Sequence, residues 1–175
     1  MTIRIVTDST CDLPRDIVEE NGIKVVPLYI HINDKNYLDE IDLSRHEYYE
    51  RLHSIHPPAT TAIPSTDIFK QTYDSLAEEG ATEILSIHIS HKLSGMVNVA
   101  EAAARETTSA KVTVLDSRQL SMATGFEALE AAQAAKDGKP MKEILARLNA
   151  LIPHLHVFAA LDTLEFLRRS GRMNF

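Results

Sequence analysis

Short runs rich in Ile, Val and Leu alternate along the chain with longer stretches whose apolar residues recur every three or four positions. The first pattern marks buried strands, the second amphipathic helices. Ile3-Arg4-Ile5-Val6-Thr7 predicts a strand. Residues 23–32 predict another, in which Pro27 marks an edge or a bulge. Asn33-Asp34-Lys35-Asn36 reads as a turn into a short strand near Tyr37. Further strands are expected at 83–90, 111–115 and 156–161. A short helix is expected between Pro14 and Gly22. Ser44-Arg45-His46-Glu47 has the form of a capping box and opens a helix that Pro57-Pro58 stops. Residues 59–66 read as a linker. Helices follow at 67–79, at 94–106 with Ser94 as cap, at 122–136 and at 140–152. A last short helix, capped by Asp162, runs to about residue 169.

Buried strands alternating with amphipathic helices predict an α/β fold, three-layered and doubly wound around a mostly parallel sheet. Residues 1–153 account for that domain. Residues 154–175 read as the truncated start of a second, α+β domain, because one strand and one helix bury no core of their own.

The chain has 175 residues, enough for one ordinary domain. Its net charge of −7, without basic blocks, argues against phosphate-backbone binding. A single cysteine, Cys11, excludes a disulfide framework within one chain. No apolar run approaches the roughly 18 residues of a membrane span, and the N-terminus has no long apolar leader. A cytoplasmic protein is expected.

In doubly wound sheets, ligands lie beyond the carboxyl ends of the strands. There the sequence places Asp8-Ser9-Thr10-Cys11-Asp12, the loop 61–66, Ser90-His91-Lys92-Leu93-Ser94-Gly95, and Asp116-Ser117 with Ser121. Hydroxyls at helix starts favour an anion, phosphate or carboxylate. Each is also an ordinary N-cap. Dinucleotide, P-loop, nucleophile-elbow and H-E-x-x-H motifs are absent from the sequence. None of the 8 histidines has cysteines or paired carboxylates at ligand spacing, so no metal or cofactor is expected. Asp8 as an aspartyl nucleophile would make a phosphoryl-transfer enzyme, and that is the alternative reading.

The same loops carry a resemblance. Thr7-Asp8-Ser9-Thr10-Cys11-Asp12-Leu13-Pro14, Thr61-Ala62-Ile63-Pro64-Ser65, Lys92-Leu93-Ser94-Gly95, Asp116-Ser117 with Ser121, and the run from Thr163 to Arg172 occur in the order of the DegV family. The resemblance implies a bacterial fatty-acid-binding protein without catalysis, holding one long acyl chain in a tunnel between two domains. By motif, the carboxylate would be held by the Thr61 and Ser94 hydroxyls and the Gly95 N–H. The tunnel candidates are Ile63, Leu93, Met96, Val97 and Met122. Some members present the acid to a fatty-acid kinase for phospholipid synthesis. Arg168, Arg169 and Arg172 are candidates for docking a partner's acidic patch.

Two departures stand out. The family loop usually reads Thr-Ser-Gln-Pro-Ser, and here Ala62 and Ile63 exchange polar contacts for apolar wall. Met96-Val97 stand where the family tends to have Thr-Tyr. By the resemblance, most of the family's second domain, which helps close the head-group site, is expected to be missing here, through truncation or in a natural short form. The expectation is therefore weak binding by the chain alone, or a homodimer that buries Val157, Phe158, Leu161, Phe166 and Leu167.

Overall fold

A computed structural model describes residues 2–170. Four strands form a parallel sheet: β1 (Ile3–Asp8), β2 (Lys24–Val26), β6 (Glu83–His88) and β7 (Lys111–Asp116). Their order is β2-β1-β6-β7. β1 pairs with both β2 and β6, Val6 lying opposite Lys24 on one side and Ser86 on the other. Chain order thus runs outward in both directions from β1 and β6. That is the switch point of a doubly wound sheet, where the loops diverge and leave a crevice.

The helices of this layer are α1 (Arg15–Asn21), α3 (Thr66–Glu78), α4 (Met96–Glu106), α5 (Met122–Lys136) and α6 (Met141–Leu151). Side chains alternate across a strand, so each strand feeds two cores. Ile5, Leu85 and Ile87 pack with Ala128, Ala131, Ile144 and Leu148 of α5 and α6. Val6 and Ile84 pack on the other face with Phe69, Tyr73, Met96 and Ala100 of α3 and α4. Every residue of β6 is buried, as a central strand requires.

A second, smaller sheet interrupts this pattern. β3 (Tyr29–Ile32), β4 (Lys35–Leu38) and β5 (Thr60–Ala62) are antiparallel in the order β4-β3-β5. Helix α2 (Arg45–Arg51) belongs with it, and Ile32, Leu43 and Ile55 make its own small core. The continuous strand expected at 23–32 is therefore two strands in two sheets. Pro27 lies in the break, where its missing N–H costs no ladder bond. The expected linker at 59–66 contains β5, which pairs Thr61 with Ile30.

Three further expectations are corrected. Residues 155–164 form no strand, and Phe158 is 93% exposed. No strand among the described residues stands beside this segment to complete its hydrogen bonds. The last helix, α7 (Glu165–Arg169), takes its cap bond from Thr163, whose Oγ1 accepts from Glu165 N at 3.2 Å, and Asp162 makes no cap. Likewise α4 starts one turn position later than expected: Ser94 Oγ accepts from Met96 N at 3.3 Å, and Gly95 sits between them.

Candidate functional site

β1 ends in Asp8, and the chain then makes a tight turn at Ser9–Cys11 before Asp12 adopts a left-handed conformation (φ 55°). A short polar residue such as Asp tolerates that region. The turn is tied to its surroundings on every side. Asp8 accepts from Thr10 N at 3.1 Å and from the Thr10 hydroxyl. Ser9 Oγ accepts from Leu28 N at 3.1 Å, which anchors the start of the small sheet. Arg45 reaches in from α2, donating to Ser9 O at 2.7 Å and pairing with Asp12 at 2.6 Å. Ser121 donates to the other Asp12 oxygen.

Between this turn, β5 and the start of α4 lies a hollow of about 610 Å³. Its lining includes Thr10, Leu28, Thr61, Ala62, Ile63, Ile89, Leu93, Ser94 and Gly95. That size suits a small-molecule site. A Cβ on Gly95 would meet Ile63 Cδ1 at 3.5 Å, so the loop after β5 and the start of α4 face one another closely. Ser94 accepts from Met96 N, which leaves its hydroxyl hydrogen for another partner. The N–H groups of the first turn of α4 have no acceptor within the helix. The hollow thus pairs hydrogen-bond donors on one side with apolar wall from Leu28, Ile63, Ile89 and Leu93.

A second hollow of about 210 Å³ shares Thr10, Leu28 and Thr61 with the first and adds Ile30, Leu43 and Tyr48. A third, of about 800 Å³, shares Tyr48, Ala59 and Thr61 with the second and reaches Leu161, Phe166 and Leu167. Thr61 of the small sheet lines all three.

The residues singled out from the sequence divide into groups. Thr61, Ser94, Gly95, Ile63 and Leu93 meet in the first hollow. Met96 is fully enclosed in the core beneath it, and Val97 is buried beside it. Met122 lines a separate hollow with Phe126, Leu155 and Val157. Arg169 pairs with Glu165 on α7, Arg168 is exposed, and Arg172 lies outside the described residues. Val157, Phe158, Leu161 and Phe166 are exposed, and Leu167 is half-buried.

Asp8 does not have the setting of a nucleophile. Its side chain is fully enclosed, and both oxygens are occupied: Oδ1 by Thr10, Oδ2 by His88 Nδ1 at 2.9 Å and Ile89 N at 3.3 Å. Burial alone would raise its pKa, but the His88 and Thr10 bonds outweigh it and hold the carboxyl below its ordinary value. The enclosed and fully bonded Asp8 thus gives no support to the alternative reading of phosphoryl transfer. His88 is the member that sequence reasoning missed, since 80 positions separate it from Asp8. The one available signal was a histidine at the end of a fully buried strand that also carries Ser86. His91, in the loop that leads to Ser94, is paired with Asp116.

Comparison with known proteins now decides the family. A family model described as "Uncharacterised protein, DegV family" matches residues 2–174. The chain belongs to the DegV family. It is 36% identical over 171 residues to the DegV domain-containing protein CPE2509 of Clostridium perfringens, a match covering 98% of this chain and 60% of the relative. Among solved structures it resembles "Fatty Acid Binding of a DegV family Protein from Thermus thermophilus", with 38% identity and a TM-score of 0.88. It also resembles "Crystal Structure of DegV, a fatty acid binding protein from Bacillus subtilis", with 29% identity and a TM-score of 0.89. Each match covers 98% of this chain and 61% of the other. The chain thus spans about three fifths of the length of the DegV proteins it matches. Among the described residues no helix is long and apolar enough to cross a membrane.

Proposed function

We propose that this DegV chain binds one long-chain fatty acid, without turning it over, inside the cell. The carboxylate is held by the Thr61 and Ser94 hydroxyls and the Gly95 N–H. The observation that carries the reading is that these residues, from the small sheet and from the start of α4, line one hollow with apolar walls. Similarity to DegV proteins described as fatty-acid-binding supports the choice of carboxylate over phosphate. Helix-start donors suit either anion, and the apolar walls of Leu28, Ile63, Ile89 and Leu93 favour one that carries an apolar tail.

The tail begins against Ile63 and Leu93 and continues along Leu28, Ile30, Leu43 and Tyr48 of the adjoining hollow. Met96 and Val97 support this wall from the core. The hollows are open, and residues 154–175 mark the passage to a second domain, or to a second copy of the chain, that covers them. Val157, Phe158, Leu161, Phe166 and Leu167 are the surface for that cover. Presentation of the acid to a fatty-acid kinase would use Arg168, Arg169 and Arg172, whose charge reversal should abolish docking and spare lipid binding.

The test is displacement of a fluorescent fatty acid from delipidated protein by palmitate or oleate. Saturable displacement at one site, weakened in Thr61→Val and Ser94→Ala, is the expected result. Binding that is indifferent to both substitutions would overturn the head-group assignment.

A further inference from the structure

A buried polar chain runs behind the hollow. Tyr73 Oη donates to Ser86 Oγ at 2.9 Å, and Ser86 Oγ lies 2.7 Å from His88 Nε2. His88 Nδ1 in turn faces Asp8 Oδ2 at 2.9 Å. All four side chains are completely enclosed, and the ring of Phe69 stands edge-on against His88 with centroids 5.2 Å apart. The order of donors sets the tautomer. Tyr73 and Ser86 pass hydrogens toward Nε2, so Nδ1 carries the hydrogen given to Asp8. Such a buried, fully satisfied network is poor value as a stabiliser, because apolar residues of the same volume often do better. What it delivers is position.

The bonds of Asp8 say what is positioned. Its Oδ1 holds Thr10 in the turn after β1. Its Oδ2 holds Ile89 N, at the root of the loop that carries Ser94. The neighbouring Ser9 holds Leu28 N, at the root of β3, and β3 pairs directly with the strand that carries Thr61. One carboxylate and its own turn thus join the two halves of the hollow. Thr10, Leu28 and Ile89, the residues so held, all line it.

We infer that Asp8, oriented by His88, is the positioning residue of the head-group site and fixes the gap between the Thr61 hydroxyl and the Ser94–Gly95 corner. The inference rests on the fatty-acid reading above. Asp8 touches no ligand; it acts through the turn 9–11 and the loop after β6. Loss of the His88 bond lets the two donor sides drift, which weakens recognition of the carboxyl and leaves the tail's contacts in place.

The test compares a fatty acid with its methyl ester, which keeps the tail and removes the acid. Displacement of a fluorescent fatty acid is measured on the full 175-residue chain. The wild type should prefer the acid by about tenfold or more, the value of a well-placed set of hydrogen bonds. His88→Leu should collapse that preference toward unity, with affinity for the ester held within about twofold. His88→Asn, which keeps a donor toward Asp8, should retain the preference. A purely structural role would lower both affinities together or neither. Where circular dichroism shows His88→Leu unfolded, Asp8→Asn is read in the same way. Preference unchanged in the leucine variant, or ester affinity falling in step with the acid, overturns the inference and leaves the fatty-acid reading standing. A wild type that binds neither ligand overturns both.

Discussion

A Cβ placed on Gly125 would stand 2.5 Å from the carbonyl oxygen of Cys11. Helix α5 crosses the turn after β1 at this point, and only a glycine lets the two backbones approach so closely. The turn that frames the candidate site is thus pressed from beneath by a helix and held from above by Arg45.

Gly125→Ala should therefore push on the Cys11 carbonyl and on Leu13, whose Cγ would lie 3.0 Å from the new methyl. The expected cost is about 1–3 kcal/mol, the range for overpacking a core. Chemical denaturation checks it. The variant should also bind the fatty-acid probe more weakly, since the displaced turn carries Thr10.

Gly95 offers the contrast. An added methyl would make ordinary contact with Ile63 at 3.5 Å, so Gly95→Ala should change stability by less than about 0.5 kcal/mol. Gly95→Leu should leave the melting temperature near that of the wild type and fill the hollow. Probe affinity should fall by about tenfold or more, because the tail loses its preformed space.

Cys11 is buried, and burial pushes its thiol up to about 11. Because the thiolate is the reactive form, the folded protein should resist a thiol reagent at pH 8 and react with it rapidly in denaturant. Fast stoichiometric labelling of the native protein would show that the turn opens.

Glu127 lies on α5 with both carboxyl oxygens buried and without a hydrogen-bond partner. Burial, aided by nearby Asp116 and opposed by Arg118, pushes its pKa up to about 8 from 4.5. The folded state therefore holds this proton where the unfolded chain has released it. The contribution is fully present below the unfolded value and is lost as pH rises through about 8. Thermal melts should show stability falling across that window. Glu127→Gln should flatten the slope and be the more stable protein at the alkaline end, by on the order of 2–3 kcal/mol.

Much of the parallel layer is legible in the sequence, because its signals are local and mutually consistent. β1, β6 and β7 are β-branched runs, and α5 ends at Lys136 with Gly138 just beyond, as its pattern predicts. The small sheet is harder to read. β5 is three residues long, and its strand character comes from pairing with β3, not from its own composition. At 156–161 the opposite holds: a strand-like composition finds no partner among the described residues and stays irregular. The hydroxyls of the candidate site are visible as helix-start residues, but their meeting in one hollow depends on which sheet each element joins. The Asp8–His88 pair is invisible for the same reason, since only β1–β6 pairing brings the two together.

The central claim is that this chain holds a fatty acid, and native mass spectrometry of the purified protein tests it most directly. The spectrum is followed by organic extraction and analysis of whatever lipid is released. The account predicts a mass shift equal to one long-chain fatty acid per chain, and recovery of that acid in the extract. Protein that carries no lipid, and that takes up none when palmitate or oleate is added before the measurement, would contradict it.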